Sequence, residues 1–292
     1  MPDAKGSIRY LKRLPEYNRV KPYLAAVPAN GGSERVEFPL TNLQFEEHVV
    51  EFVDIRPSLD QFNVHDHGFQ ILPSPARCSP VTAPDSVATY QRETEQALTA
   101  HFGAEKVICF EFKVRNTKPF DGDTLDLEDP LQHLQPAPDA HADYTFVSGP
   151  ITTKRVLVEK DQEQYMRPGY RFQIINTWQS ALPEISDQPL AVCDFRSTAA
   201  GDVIASDRVR PDKTGEIFHL HFNPDHKWYF LDSMTPQEPW MFVSYDSMAG
   251  HHARFCPHAS FHPEGRQPSY RESYETRSLV ITRLDRQTTG SM

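Results

Sequence analysis

A chain of 292 residues, 38% of them hydrophobic, is long enough to bury a large core, and nothing in its composition forces a split into smaller units. A net charge of −10 and a pI near 5.7, with Lys and Arg scattered along the chain, exclude a nucleic-acid footprint and disfavour an anionic membrane surface. The opening Met1–Gly6 has no apolar leader and no stretch approaches the roughly 18 apolar residues of a membrane span, so a cytoplasmic protein with no membrane partner is expected.

Four cysteines, Cys78, Cys109, Cys193 and Cys256, lie far apart and form no C-x-x-C pair. That spacing argues against a disulfide framework and a thiolate zinc site, and they are expected as small buried hydrophobes. The 25 prolines suit many turns and few long helices, and the 18 phenylalanines with their β-branched neighbours supply strands. A mostly β chain with flanking helices follows, read as one domain over residues 1–292.

Residues 1–60 alternate strand candidates, Val36–Phe38 and Val49–Val53, with loops such as Pro28–Gly32. His65–Asp66–His67 sits among polar residues before Gly68 and reads as an exposed turn. From Ser86 to Phe102, Val87, Tyr90, Thr94, Ala97, Leu98 and His101 share one face at helical spacing, with capping residues before and Gly103 after, so a helix is predicted there as a buttress on a sheet. Lys106–Arg115 reads as a buried strand. Residues 116–139 form a long, acidic, Pro-rich loop of the kind that is a functional lid or disordered, and a second helix is predicted from Thr152 to Met166.

Beyond Tyr170 the strands are short and closely spaced: Arg171–Asn176, Leu190–Asp194, Glu216–Phe222, Lys227–Phe230, Trp240–Tyr245 and Tyr274–Arg283. Each is bounded by Pro, Gly, Asn or Asp, as in a sandwich or jelly roll. The tail 286–292 is expected to be disordered.

The chemistry centres on His141 and Asp143. Two residues apart on a strand, they point to one face, and His258 brought alongside completes a three-ligand site with open coordination positions, the donor set of a non-haem iron centre. With 13 histidines, chance alone supplies about one His-x-Asp in such a chain, so context must carry the reading. The pair follows a long loop, and His258 lies far enough downstream to leave room for several strands. A second anchor is the strand around Arg271, Ser273, Glu275 and Arg277, which share a face continuing into Leu279 and Ile281. Burying an arginine without a partner is costly, and the distal carboxylate of an iron-chelating oxo-acid would supply one at Arg271 and Ser273. Arg277 pairs with Glu275 or contacts a ligand. The bland alternative is a surface strand with an Arg/Glu ladder.

Two other histidine groups compete. His219 and His221 have strand spacing with His226 nearby, the donors a zinc hydrolase would need, although histidines beside Trp228 and Tyr229 are more often packing residues. His251–His252 lie in a loop beside Gly250. Asn176–Gln179 and Cys193–Ser197 end strands, where polar groups line pocket mouths, while an Asp194–Arg196 pair equally staples a loop.

Ala140–Thr145 with Ser148–Pro150, Phe172–Trp178, Pro189–Ser197, Asn223–Phe230, Tyr245–Ser247 and Arg254–Phe261 with the Arg271–Arg277 strand together resemble the gibberellin-desaturase-like, cephem-methoxylase-like oxygenases of secondary metabolism. The match covers the C-terminal half specifically and the N-terminal third loosely. The resemblance implies a double-stranded β-helix (jelly roll, cupin-like) using Fe(II), the cosubstrate 2-oxoglutarate and dioxygen. It implies His141, Asp143 and His258 as metal ligands and Arg271 as cosubstrate anchor; from the residues themselves, Ser273 and Arg277 are expected beside that cosubstrate and Tyr144, Asn176, Trp178 and Gln179 towards a small-molecule substrate. That substrate would be hydroxylated, desaturated or oxidatively cyclised as 2-oxoglutarate is decarboxylated to succinate. The family usually follows its Asn-x-Trp with Arg-Pro, where this chain has Gln179–Ser180, which points to a changed substrate. A jelly-roll binding module without chemistry is the competing class. No segment settles the oligomeric state, and a homodimer is one state the chain allows.

Overall fold

The computed structural model describes residues 3–25, 39–73, 76, 80–119, 129–210 and 213–284. The strands of the N-terminal half are β1 (Ala4–Leu11), β2 (Tyr23–Ala25), β3 (Phe45–Asp54), β4 (Phe69–Ile71), β5 (Lys106–Asn116), β6 (His133–Leu134) and β7 (His141–Ala142). Those that follow are β8 (Tyr170–Ser180), β9 (Leu190–Cys193), β10 (Val203–Val209), β11 (Thr214–Leu220), β12 (Trp228–Phe230), β13 (Trp240–Asp246), β14 (His258–Ser260) and β15 (Glu272–Arg283). Helices α1 (Pro84–Phe102) and α2 (Ser148–Glu159) flank them.

The strands form two curled sheets that face one another, the expected double-stranded β-helix. One has the order β1-β3-β12-β9-β14-β7-β11-β10-β2, the other β4-β13-β8-β15-β5-β6. Alternation decides what lies between them. Leu190 and Val192 of β9 meet Trp178 of β8, Trp240 and Phe242 of β13 and Phe69 of β4 in one core cluster, while Ala191 and Cys193 turn to the opposite face. On that far side Ile8 and Tyr10 of β1 pack with Phe52, Trp228, Phe230 and Phe261, and the Trp228 indole N–H donates to the Tyr10 hydroxyl at 2.8 Å. This wrapping brings β1 to the segment before β7. Ala140 N–H donates to Arg9 O at 2.8 Å and Arg9 N–H to Pro138 O at 3.2 Å, which holds the approach to His141 in an extended path.

Helix α1 packs on the outer face of the smaller sheet through Val87, Tyr90 and Leu98, against Phe112, Val114 and Tyr274 on one side and Val107 and Val280 on the other. Its start is fixed by Pro84 in the first turn and by Ser86 Oγ, which accepts from Ala83 N–H at 3.0 Å, and it ends at Gly103 with φ 57°. The predicted buttress helix is therefore present, two residues longer at its start. Helix α2 begins earlier than Thr152 because Thr145 Oγ1 accepts from Val147 and Ser148 N–H and Pro150 is tolerated in a first turn. It also stops earlier, at Glu159, ahead of Asp161 at φ 53°. Gly149 is required there: a Cβ would lie 2.3 Å from the Tyr245 ring.

Several expectations change. Asn176–Gln179 do not end a strand: β8 continues to Ser180, paired along its length with β15 and with β13 from Asp246 to Trp240. The sequence pattern predicts none of β1, β2, β4, β6, β10 and β14: polar residues interrupt the alternation of β1 and β10, and the others are only two or three residues long. In the 65–67 turn His65 and Asp66 are exposed, but His67 is buried against Phe62 and its Nδ1 accepts from Asn63 N–H at 3.3 Å. Cys109, Cys193 and Cys256 are free and buried as expected, and burial pushes the thiols of Cys109 and Cys193 up to about 12. Val36–Phe38, Pro28–Gly32, Cys78, the middle of the 116–139 loop and the tail lie outside the described residues.

Candidate metal centre and its two clefts

Strands β7 and β14 lie side by side, with His141 directly opposite His258, so two imidazoles from distant parts of the chain converge between the sheets with ring centroids 4.3 Å apart. Asp143, just past β7, reaches the same point: His141 Nε2 and Asp143 Oδ1 are 3.8 Å apart, and one ligand atom from each of the three residues lies within 4.8 Å of the others. The tautomers follow from the backbone. His141 Nδ1 lies 2.7 Å from Asp139 O and His258 Nδ1 lies 3.1 Å from Cys256 O. A carbonyl only accepts, so each Nδ1 carries the proton and each Nε2 presents a lone pair to the site. Burial, reinforced by neighbouring His258, lowers the His141 pKa to about 3, which keeps that lone pair available at neutral pH.

Asp143 is held as a carboxylate from the opposite sheet. Its Oδ1 accepts from Arg277 Nη2 at 2.8 Å, and its Oδ2 from Arg277 Nε at 2.9 Å and Asn176 Nδ2 at 2.6 Å. Ser244 orients that amide by donating to Asn176 Oδ1 at 2.9 Å. Burial alone would raise the Asp143 pKa, but the Arg277 charge outweighs it and holds the group well below the ordinary carboxylate range. Arg277 also donates to Glu111 at 2.5 Å and Glu275 at 3.0 Å, so its donors are committed to acids of this chain.

Arg271 contrasts with it. The side chain is 1% exposed, stacks over Trp178 with 4.9 Å between guanidinium carbon and ring centroid, and makes one side-chain hydrogen bond, Nη2 to Ser273 Oγ at 3.1 Å. Its Nε and Nη1, and the Trp178 indole N–H, are buried without a partner. Burial, with Arg115 nearby, lowers the Arg271 pKa to about 9. Orphaned buried donors cost about 1–3 kcal/mol each, so this arrangement calls for an anionic ligand. The cleft they line is narrow and also bordered by His141, His258, Leu190, Phe242 and Ser260. A wider cavity of about 370 Å³, which shares His141 and Ala137 with this cleft, is lined by Asp143 and bounded by Tyr144, Ile217, Arg208 and Thr152. Two nitrogens, one carboxylate oxygen and a cation left for an oxo-acid form a donor set that fits iron and a 2-oxo dicarboxylate.

Of the residues expected at the site, His141, Asp143, His258, Arg271, Ser273, Arg277, Tyr144, Asn176 and Trp178 gather here. Asn176 serves Asp143. Gln179 does not belong: one position out of phase with Trp178, it faces α1, where its Oε1 accepts from the Tyr90 hydroxyl at 2.6 Å and its Nε2 donates to Ala76 O at 3.0 Å and Pro236 O at 2.7 Å. The rival histidines disperse. His219 Nε2 lies 3.2 Å from Arg208, His221 donates to Leu11 O at 2.7 Å and His226 pairs with Asp202 at 3.3 Å. Among the described residues, His141, Asp143 and His258 are the one group of three metal-binding side chains, which overturns the zinc-hydrolase alternative. Asp194 and Arg196 form the loop staple. Sequence reasoning missed Glu111, Lys113 and Arg115, whose alternation along β5 matched the phase of β15, and Arg208 on the unpredicted β10.

Known proteins resemble this chain over most of its length. A family model described as an oxidoreductase/YMDC permease-like domain matches residues 8–281. The hydroxylase/desaturase efuI of Hormonema carpetanum is 28% identical, covering 91% of this chain and 95% of the relative. The alpha-ketoglutarate-dependent dioxygenase tstK of Talaromyces stipitatus is 27% identical over 87% of this chain and 91% of its own length. The Fe(II)/2-oxoglutarate-dependent dioxygenase nvfI of Aspergillus novofumigatus is 28% identical over 82% and 85%. A solved structure of a variant of the iron and alpha-ketoglutarate-dependent endoperoxidase NvfI shares the fold, with a TM-score of 0.79 at 23% identity over 96% of this chain and 97% of that one. The chain belongs to this oxidoreductase family and is an Fe(II)/2-oxoglutarate-dependent oxygenase of secondary metabolism.

Proposed function

We propose that His141 and His258, through Nε2, and Asp143, through a carboxylate oxygen, hold Fe(II), that Arg271 and Ser273 bind the distal carboxylate of 2-oxoglutarate, and that a small-molecule metabolite is oxidised in the wider cavity. Bound iron and cosubstrate supply an oxidant from dioxygen, with 2-oxoglutarate decarboxylated to succinate. The chain's own residues do the rest. Asp139 O and Cys256 O fix the two imidazoles, Arg277 and Asn176 keep Asp143 ionised, and Trp178, Leu190 and Phe242 give the cosubstrate cleft an apolar lining. Hydroxylation, desaturation and oxidative cyclisation are the outcomes open to such a site. Arg277 has its donors on Asp143, Glu111 and Glu275, which favours Arg271 as the cosubstrate anchor. Free buried thiols suit a reducing, cytoplasmic location, and no helix among the described residues is long and apolar enough to cross a membrane.

The observation that carries this reading is the pair of unpartnered Arg271 donors at the end of a cleft bordered by both metal-binding histidines. Anaerobic titration of the protein with Fe(II) and then 2-oxoglutarate tests it, followed by the charge-transfer absorption of the complex. Asp143→Ala is expected to lose iron binding. Arg271→Ala is expected to weaken 2-oxoglutarate by about tenfold or more, the value of a charge-assisted pair, while iron still binds. Unchanged 2-oxoglutarate affinity in Arg271→Ala would sink the anchor assignment.

A further inference from the structure

Among the described residues, the wall of the wider cavity carries one positive charge that has no ion-pair partner. Its acids each have a cation: Glu111 meets Lys113 at 2.8 Å, Asp139 meets Arg9 at 3.1 Å, Asp143 meets Arg277 at 2.8 Å, and Glu216 pairs with Lys21. Of the three arginines on this wall, Arg277 is committed to acids and Arg115 pairs with Glu275 at 2.7 Å. Arg208 is the exception. Among the described residues it makes no ion pair, and its one hydrogen-bond contact is Nη2 to His219 Nε2 at 3.2 Å. His219 is fully buried, and an imidazole, neutral or protonated, carries no negative charge to offset the guanidinium. Burial also lowers the Arg208 pKa, which Asp139 offsets only in part. Across the ladder Arg208 stands opposite Gly215, so the β11 residue that directly faces it has no side chain to cover it.

We propose that Arg208 is the docking point for an ionised carboxylate on the substrate, so that the enzyme acts on small carboxylic acids carried on a largely carbon skeleton. The guanidinium fork matches one carboxylate in geometry and charge, and Tyr144, Ala137 and Ile217 supply apolar wall for the rest. This anion is separate from the cosubstrate: Arg271 lines the narrow cleft with Trp178, Arg208 lines the wide cavity with Tyr144, and His141 borders both. The two arginines therefore give two carboxylates separate docking points in adjoining clefts, and the substrate is held by its acid group while its carbon skeleton lies along His141 and Asp143.

The inference rests on the oxygenase reading above, and its test keeps the two apart. Anaerobic protein saturated with Fe(II) and 2-oxoglutarate, so that the Arg271 cleft is filled, is titrated by calorimetry with benzoate, 1-naphthoate and cyclohexanecarboxylate, each against its methyl ester. At least one acid is expected to bind about tenfold or more tighter than its ester, as a charge-assisted pair implies. Arg208→Gln is expected to remove that preference with the iron–2-oxoglutarate absorption unaltered, and Arg208→Lys, which keeps the charge, to retain part of it. Equal binding of acid and ester for all three pairs, or a preference that survives in Arg208→Gln, overturns the proposal and leaves the oxygenase reading standing. Absence of the absorption band in the unmodified protein would overturn both.

Discussion

At the scale of the residue, phase along a strand assigns the roles. Trp178 and Gln179 are neighbours in sequence, yet one stacks under Arg271 between the sheets and the other ties α1 to two loops on the far side. The substitution of Gln179 for the family's usual arginine is therefore a change in how the outer face is fastened. Gln179→Ala removes the hydrogen bonds that join the side chain to the Tyr90 hydroxyl, Ala76 O and Pro236 O, and is expected to lower stability by about 1–3 kcal/mol, read by thermal or urea unfolding. Iron and 2-oxoglutarate affinities should be unchanged. A shift in either without a loss of stability would return Gln179 to the pocket.

At the scale of the element, β5 and β15 form a buried charge ladder across the inner face. Arg277 stands opposite Glu111, Glu275 opposite Lys113 and Ser273 opposite Arg115. The bland reading of this strand, an exposed Arg/Glu ladder, had the pairing right and the burial wrong, because polar residues that repeat every second position look the same whether they face water or a ligand. Burial alone would raise the pKa of Glu111 and Glu275, but Arg277 and Lys113 around the first, and Arg115 and Arg277 around the second, lower both from 4.5 to about 2. A depressed folded value means stability that is fully present above the unfolded pKa and is lost as pH falls through the folded one. The metal-free protein is therefore expected to lose thermal stability progressively as pH drops from 4.5 towards 2. Glu275→Gln should flatten that decline, and an equally steep acid transition in the variant would show that the ladder does not carry it.

At the scale of the whole molecule, the N-terminal strands belong to the same sheet as the metal ligands. Tyr10 and Ile8 are fully buried with Trp228 and Phe230, and Arg9 holds the backbone that leads into His141. We propose that the chain folds as one domain, and calorimetry is expected to show a single cooperative transition. An early, separate transition confined to residues 1–60 would contradict it.

By itself, the sequence determined the β-rich class, the buttress helix, most strands after Tyr170, and the two residue types at His141 and Asp143. These follow from local pattern: alternation, turn residues and helical spacing act over a few positions and are written in order along the chain. What only the tertiary structure decided was the convergence. His258 reaches His141 because β14 and β7 are neighbours in a sheet, and Arg277 reaches Asp143 because two sheets face each other. Arg208 and Arg271 lie in different clefts although both are arginines near strand ends. Pairing between distant strands depends on which apolar faces the whole chain can bury together, and no window of local residues contains that information.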